Sequence, residues 1–123
     1  MNQKRPINLN LFTISFPIPA IISILHRITG VVLFLIIPFV LWLWEYSLSP
    51  EGFNHLKLYF SYPSVKLFTL LLMIPIFFHF VAGIRHLLMD IHIGETLEEG
   101  RYSARWTFIF TIFLLILVGV WLW

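Results

Sequence analysis

The chain has 123 residues, of which 59% are hydrophobic and 11% are charged, and its formal net charge is +2 at pH 7. A soluble domain carries about 25% charged residues, so this composition excludes a soluble globular protein and indicates a small integral membrane protein. The charge is too small and too dispersed for nucleic-acid binding. Because the chain contains no cysteine, any cysteine-ligated iron–sulfur cluster would have to belong to a partner.

Three uncharged runs predict three transmembrane helices. They cover residues 28–44, 67–84 and 106–123, which are 17, 18 and 18 residues long, each near the roughly 20 residues needed to cross a bilayer. A closed barrel would need at least about 8 strands of alternating polarity, which these continuous apolar runs lack. We therefore expect an all-α integral membrane protein that forms one domain over residues 1–123.

The first 18 residues are expected to form a cytoplasmic or interfacial lead-in. Pro6, Pro17 and Pro19 interrupt helix there, and the stretch after the basic residues Lys4 and Arg5 is too broken for a cleavable signal peptide. The first membrane helix should start near Pro19, which suits a first-turn position, and should run to about residue 46. Pro38 is predicted to kink it.

The remaining elements follow from proline, glycine and polar residues. Residues 47–64 predict an external loop with a short interfacial helix around 53–60. The second membrane helix is expected over about 65–91, and residues 94–103 predict a polar connection. The third helix should run from about 104 to 123. This order places six lysines and arginines on the side of the N-terminus and two on the other, so the N-terminus should be cytoplasmic and the C-terminus outside.

The second helix carries a polar stripe. At about 100° per residue, His79, Gly83, His86 and Asp90 fall along one face. Ionisable groups within a membrane segment usually face protein or a cofactor, so the stripe is a candidate site. His79 could ligate haem iron, or it could hydrogen-bond a neighbouring helix. Gly83 could allow the close approach of a porphyrin or of another helix.

The first helix enters the membrane on the side to which the second helix returns, so residues 23–30 and 79–90 should meet at one membrane face. The arginines and histidines near that face would form a cationic rim above His79 (His26, Arg27, Arg85 and His86). A deep imidazole below such a rim suits haem b, whose two propionates need neutralisation.

Ser23 and Arg27 lie four residues apart and therefore share a helical face. A hydroxyl and a guanidinium at the interface could bind a quinone carbonyl. The alternative is a snorkelling arginine that contributes only to the positive-inside bias.

Two segments match known signatures. Residues 23–30, SILHRITG, fit the pattern S-x-x-H-R-x-[ST]-G, and residues 79–90, HFVAGIRHLLMD, fit H-x-x-x-G-[IL]-R-H-[LM]-x-x-D. Both patterns, in this order, are typical of the cytochrome b membrane-anchor subunits of succinate dehydrogenase, respiratory complex II. With Arg5-Pro6 and the three spans, the resemblance covers essentially the whole chain. Residues 8–11 are similar to the enterobacterial form of the lead-in, which favours a gammaproteobacterial origin and therefore a bacterial inner membrane.

The resemblance implies a complex of four subunits. A flavoprotein with FAD would oxidise succinate, an iron–sulfur subunit would pass electrons on, and two three-helix anchors would share one haem b, each providing half of the haem-binding bundle. It makes His79 the axial haem ligand and places His26, Arg27 and His86 near the propionates. It places Ser23 and Arg27 in the ubiquinone site, beside the iron–sulfur subunit.

Two other functions remain open from the sequence. The same motifs could belong to an anchor subunit of fumarate reductase, which catalyses the reverse reaction, from fumarate to succinate. A non-redox membrane scaffold or transporter subunit could instead use the polar stripe for helix packing or proton passage.

Overall fold

The computed structural model describes residues 16–123, and these residues form four α-helices. They are α1 (Ile18–Ser47), α2 (Pro50–Tyr59), α3 (Pro63–Asp90) and α4 (Leu97–Leu122). Within the described residues, α1, α3 and α4 are long and apolar enough to cross a membrane, which confirms the all-helical fold with three spans. Most of the predicted lead-in, residues 1–15, lies outside the described part of the chain.

Prolines mark the start of the first three helices. Pro19, Pro50 and Pro63 all lie in the first helical turn, where a missing backbone N–H costs nothing because that group has no partner within the helix. Ser49 also caps α2, its hydroxyl accepting a hydrogen bond from the backbone N–H of Gly52 at 3.0 Å. The helices α1 and α3 therefore begin close to the residues that the sequence predicts, and α2 is the short helix expected between them.

The helix α4 corrects a predicted boundary. It begins at Leu97 rather than near residue 104, so most of the expected polar connection is helical. The reason is a capping box, in which Thr96 Oγ1 accepts from the backbone N–H of Glu99 at 3.3 Å and the Glu99 carboxylate accepts from the backbone N–H of Thr96 at 3.3 Å. Glu98 and Glu99 lie in the first turn, where the helix dipole favours acidic residues.

The turn between α3 and α4 is consequently short. It spans residues 91–96, and His92 and Gly94 adopt positive φ angles of 64° and 80°. Gly94 takes this left-handed conformation without steric cost because it has no Cβ. The short turn keeps the two helices adjacent and antiparallel.

The buried core is small and lies where the three long helices meet. The helix α3 packs against α1 and α4, and α1 also contacts α4. Within residues 16–123, the buried hydrophobic residues are Ile22, Phe78, Ala82 and Ala104. The two alanines let the backbones approach closely, as is usual in membrane bundles.

Contacts at the two ends of the bundle show how the three long helices run relative to one another. His26, near the start of α1, contacts His79 in the second half of α3. At the opposite end, the ammonium group of Lys66 lies 5.4 Å from the centre of a Trp123 ring. The helices α1 and α4 therefore run in one direction and α3 runs in the other. Large apolar side chains cover the outer surface, as lipid or a partner subunit requires.

Candidate functional site

Three histidines meet between α1 and α3, and we call them the histidine cluster: His26, His79 and His86. The rings of His26 and His79 are stacked, with centroids 4.1 Å apart and planes 16° apart. The rings of His26 and His86 are tilted by 47°, with centroids 5.0 Å apart. All three side chains are half-buried. The two sequence motifs therefore lie side by side, as the alternation of the helices predicts.

Two glycines make room for these rings. A Cβ added at Gly30 on α1 would lie 3.1 Å from Cε1 of His79, and one added at Gly83 on α3 would lie 3.4 Å from Nε2 of His26. Each helix thus places a glycine against a histidine of the other. At Gly83, the His26 side chain of the neighbouring helix lies over the glycine, which agrees with a role in helix packing.

The ring of His79 also makes hydrogen bonds to α1. Its Nδ1 lies 3.1 Å from the backbone carbonyl oxygen of His26 and 3.2 Å from Oγ1 of Thr29. The hydrogen bond to a neighbouring helix, considered above as the alternative to haem ligation, is therefore present. It occupies only one of the two ring nitrogens, so it does not exclude ligation by the other.

This arrangement fits an axial haem ligand. Histidines that bind a metal through one ring nitrogen usually donate a hydrogen bond from the other to a carbonyl or carboxylate, which fixes the ring. His79 has that contact, and the glycine at position 30 leaves space at its edge. In residues 16–123, no group of three or more histidine, cysteine or acidic side chains could hold a bare metal ion.

The structure corrects the expected position of Arg85. This side chain is only 6% exposed, and it does not stand at the rim of the cluster. Its Nε donates to Oγ of Ser103 at 3.0 Å and its Nη2 donates to the carbonyl oxygen of Gly100 at 3.3 Å. Adjacent residues of a helix point about 100° apart, so Arg85 faces α4 while His86 faces α1.

Ser23 and Arg27 lie one turn apart on α1, as predicted. Ser23 is half-buried and follows the fully buried Ile22, whereas Arg27 is exposed. Arg27 follows His26 directly, so a cationic side chain stands beside the cluster. Asp90, the last residue of α3, is exposed.

Sequence reasoning gave no role to Thr29 or Gly30, although both belong to the first motif. The signal was the presence of a hydroxyl and a glycine within an apolar helix, three and four residues after His26. In an α-helix, positions that far apart share a face. That face is the one that meets His79.

Comparison with known proteins gives consistent relatives. Residues 1–118 match the family model described as "Succinate dehydrogenase/Fumarate reductase transmembrane subunit". The succinate dehydrogenase cytochrome b556 subunit of Coxiella burnetii is 43% identical, and the match covers 100% of both chains. The corresponding subunit of Rickettsia bellii is 32% identical over 96% of this chain and 93% of its own.

A cytochrome b560 subunit extends the comparison. The succinate dehydrogenase cytochrome b560 subunit of Reclinomonas americana is 34% identical, and the match covers 97% of this chain and 86% of that protein. The matches extend along nearly the whole chain, so they include both motifs and all three long helices. The chain therefore belongs to the family of succinate dehydrogenase/fumarate reductase transmembrane subunits.

Proposed function

We propose that this chain is the haem b-binding membrane-anchor subunit of a succinate:ubiquinone oxidoreductase, with His79 as an axial ligand of the haem iron. The observation that carries the proposal is the position of His79, held by α1 through one ring nitrogen within a cluster of histidines. When bound, haem b supplies a one-electron carrier. The relatives from Coxiella burnetii and Rickettsia bellii, which are succinate dehydrogenase cytochrome b556 subunits, support the same function.

The proposed partner subunits would supply the second haem ligand and the cofactors that this chain cannot hold. His79 can provide one axial ligand, so a second membrane-anchor subunit would provide the other and would cover the exposed apolar surface. FAD and the iron–sulfur clusters would be held by the flavoprotein and the iron–sulfur subunit, since this chain has no cysteine. The chain is thus a non-catalytic subunit. Its N-terminus is proposed to lie in the cytoplasm and its spans in the bacterial inner membrane.

His26, Arg27 and His86 are proposed to lie near the haem propionates. Arg27 is the strongest candidate among them because its guanidinium is always charged and its side chain is exposed beside His26. Both histidines contribute ring N–H groups that could donate to a carboxylate. Arg85 has no such role, because its guanidinium is used between α3 and α4.

Ser23 and Arg27 are proposed to form part of the ubiquinone site. Reduction of a quinone places negative charge on its carbonyl oxygens, and a hydroxyl and a guanidinium on one helical face can donate hydrogen bonds to them. The two side chains lie one turn apart near the start of α1. That is the end of the helix at which a cytoplasmic iron–sulfur partner would deliver electrons.

Succinate oxidation is favoured over fumarate reduction by the names of the relatives, each of which is a succinate dehydrogenase subunit. A reduced-minus-oxidised absorption spectrum of the purified complex separates either redox function from a non-redox scaffold. A haem b signal that co-purifies with the chain is expected. A pure, assembled complex without haem would contradict the proposal.

The quinone site is tested by comparing two activities of the assembled complex. Ser23→Ala and Arg27→Leu should each lower succinate-to-ubiquinone turnover about tenfold, the effect of about 1.4 kcal/mol in transition-state stabilisation. Succinate oxidation by a dye that takes electrons from the soluble subunits should be unchanged. Lys57→Leu, on α2 at the other end of α1, is the matched control.

Two outcomes would contradict this assignment. If both activities fall together in Arg27→Leu, Arg27 acts in assembly or beside the haem propionates rather than on quinone. If neither activity falls, Arg27 is a snorkelling side chain at the membrane surface.

A further inference from the structure

The hydroxyl of Thr29 has a defined direction. Its Oγ1 lies 2.9 Å from the carbonyl oxygen of Leu25 and 2.9 Å from that of His26. Carbonyl oxygens only accept hydrogen bonds, so the single hydroxyl hydrogen of Thr29 points towards these two groups. In its 3.2 Å contact with Nδ1 of His79, the Thr29 oxygen must therefore accept.

The second neighbour of that nitrogen also accepts. The carbonyl oxygen of His26 lies 3.1 Å from Nδ1 of His79. With two acceptors and no donor in these contacts, Nδ1 carries the hydrogen. A neutral imidazole has one N–H and one bare nitrogen, so the lone pair of His79 is on Nε2.

We propose that Thr29 is a positioning residue for haem iron: with the carbonyl of His26, it fixes His79 in the Nδ1–H tautomer and makes Nε2 the ligand atom. This inference rests on the proposed haem ligation by His79. A hydrogen bond from the far nitrogen of a ligating histidine raises the basicity of the ligating nitrogen. Greater electron donation stabilises the oxidised iron, so Thr29 lowers the haem midpoint potential.

The experiment uses Thr29→Val and Thr29→Ser in the assembled, haem-containing complex. Valine replaces the hydroxyl by a methyl group of similar size, whereas serine retains the hydroxyl and loses the methyl. Thr69→Val on α3 is the control, because the Thr69 hydroxyl makes the same kind of bond to its own helix, donating to Val65 at 2.9 Å. Haem content, the low-spin absorption spectrum and the midpoint potential are measured for each variant.

Thr29→Val should retain low-spin haem with a raised midpoint potential. Changes around a ligating histidine typically alter metal affinity about 10- to 100-fold. A tenfold loss of preference for the oxidised iron corresponds to a rise of about 59 mV for a one-electron couple. Thr29→Ser and Thr69→Val should keep the potential of the unaltered complex.

An unchanged potential in Thr29→Val would overturn the proposal. A shift of the same size in Thr29→Ser would also overturn it, since the methyl group rather than the hydroxyl would then be responsible. If Thr29→Val loses haem, full recovery of haem and potential in Thr29→Ser supports the hydrogen bond, and failure to recover contradicts it. Failure of the underlying assignment, haem ligation by His79, is detected separately, because His79→Leu would then keep an unchanged low-spin spectrum.

Discussion

The imidazole ring of His26 lies flat against that of His79, with centroids 4.1 Å apart and planes 16° apart. A metal binds an imidazole through a lone pair in the plane of the ring, so a ring stacked on its face does not block that lone pair. The stack therefore holds His79 against α1 and leaves it able to act as a ligand. In the proposed site, the second motif would provide the ligand and the first motif would provide its support.

Gly30→Ala should disturb His79 directly. The new Cβ would lie 3.1 Å from Cε1 of the ring, closer than side chains normally approach, so the ring must move. We expect the purified complex to contain less haem or to show an altered low-spin spectrum.

Gly119→Ala on α4 is the control for this change. The added Cβ would lie 3.9 Å from Leu70, which is an ordinary contact. Both substitutions replace a helical glycine by alanine, so both gain about 1 kcal/mol in helix propensity. Gly119→Ala should leave haem content and spectrum unchanged. If Gly30→Ala behaves like Gly119→Ala, α1 does not confine the ring of His79.

Ser103→Ala should destabilise the contact between α3 and α4. It removes the oxygen that accepts from Nε of Arg85 at 3.0 Å. Because Arg85 is only 6% exposed, the donor is left without water as well as without its partner, at a cost of about 1–3 kcal/mol.

The melting temperature of the detergent-purified complex measures this effect, and it should fall. Ser61→Ala removes an exposed hydroxyl that donates to Leu58 and should not change the melting temperature. Equal melting temperatures for the two variants would show that the Arg85 contact contributes nothing to stability.

Thr96→Ala should loosen the first turn of α4. The substitution removes the hydroxyl that accepts from the backbone N–H of Glu99, and loss of such a cap costs about 1 kcal/mol. Amide hydrogen exchange at residues 97–100 should become faster, whereas Thr96→Ser should retain the slower exchange. Exchange that is the same in Thr96→Ala and the unaltered chain would argue against a capped helix start at this position.

The sequence predicted the spans and the meeting of the two motifs because both depend on simple regularities. Uncharged runs of membrane length predict helices, and the alternation of the first two spans brings His26 and His79 to the same end of the bundle. Pro19 in a first-turn position predicted the start of α1 to within one residue, and the predicted start of α3, near residue 65, is within about two residues of the observed Pro63.

The predicted position of Arg85 in the cationic rim was wrong, because the charge of a side chain does not indicate which neighbouring helix it faces. The motif places Arg85 next to His86, but the helix turns it towards Ser103 and Gly100, and the partners on α4 are 15 and 18 residues away in sequence. The start of α4 was missed for a related reason. The sequence predicts a polar connection over residues 94–103, but the capping box at Thr96 and Glu99 starts a helix within it.

The central claim is that His79 ligates the haem iron, and the absorption spectrum of His79→Leu in the purified complex tests it most directly. His55→Leu is the control, since His55 lies on α2 and contacts Tyr46 rather than the histidine cluster. We predict that His79→Leu loses the low-spin spectrum of haem held by two histidines while dye-linked succinate oxidation and the His55→Leu spectrum are unchanged. A low-spin haem spectrum in His79→Leu identical to that of the unaltered complex would contradict the account.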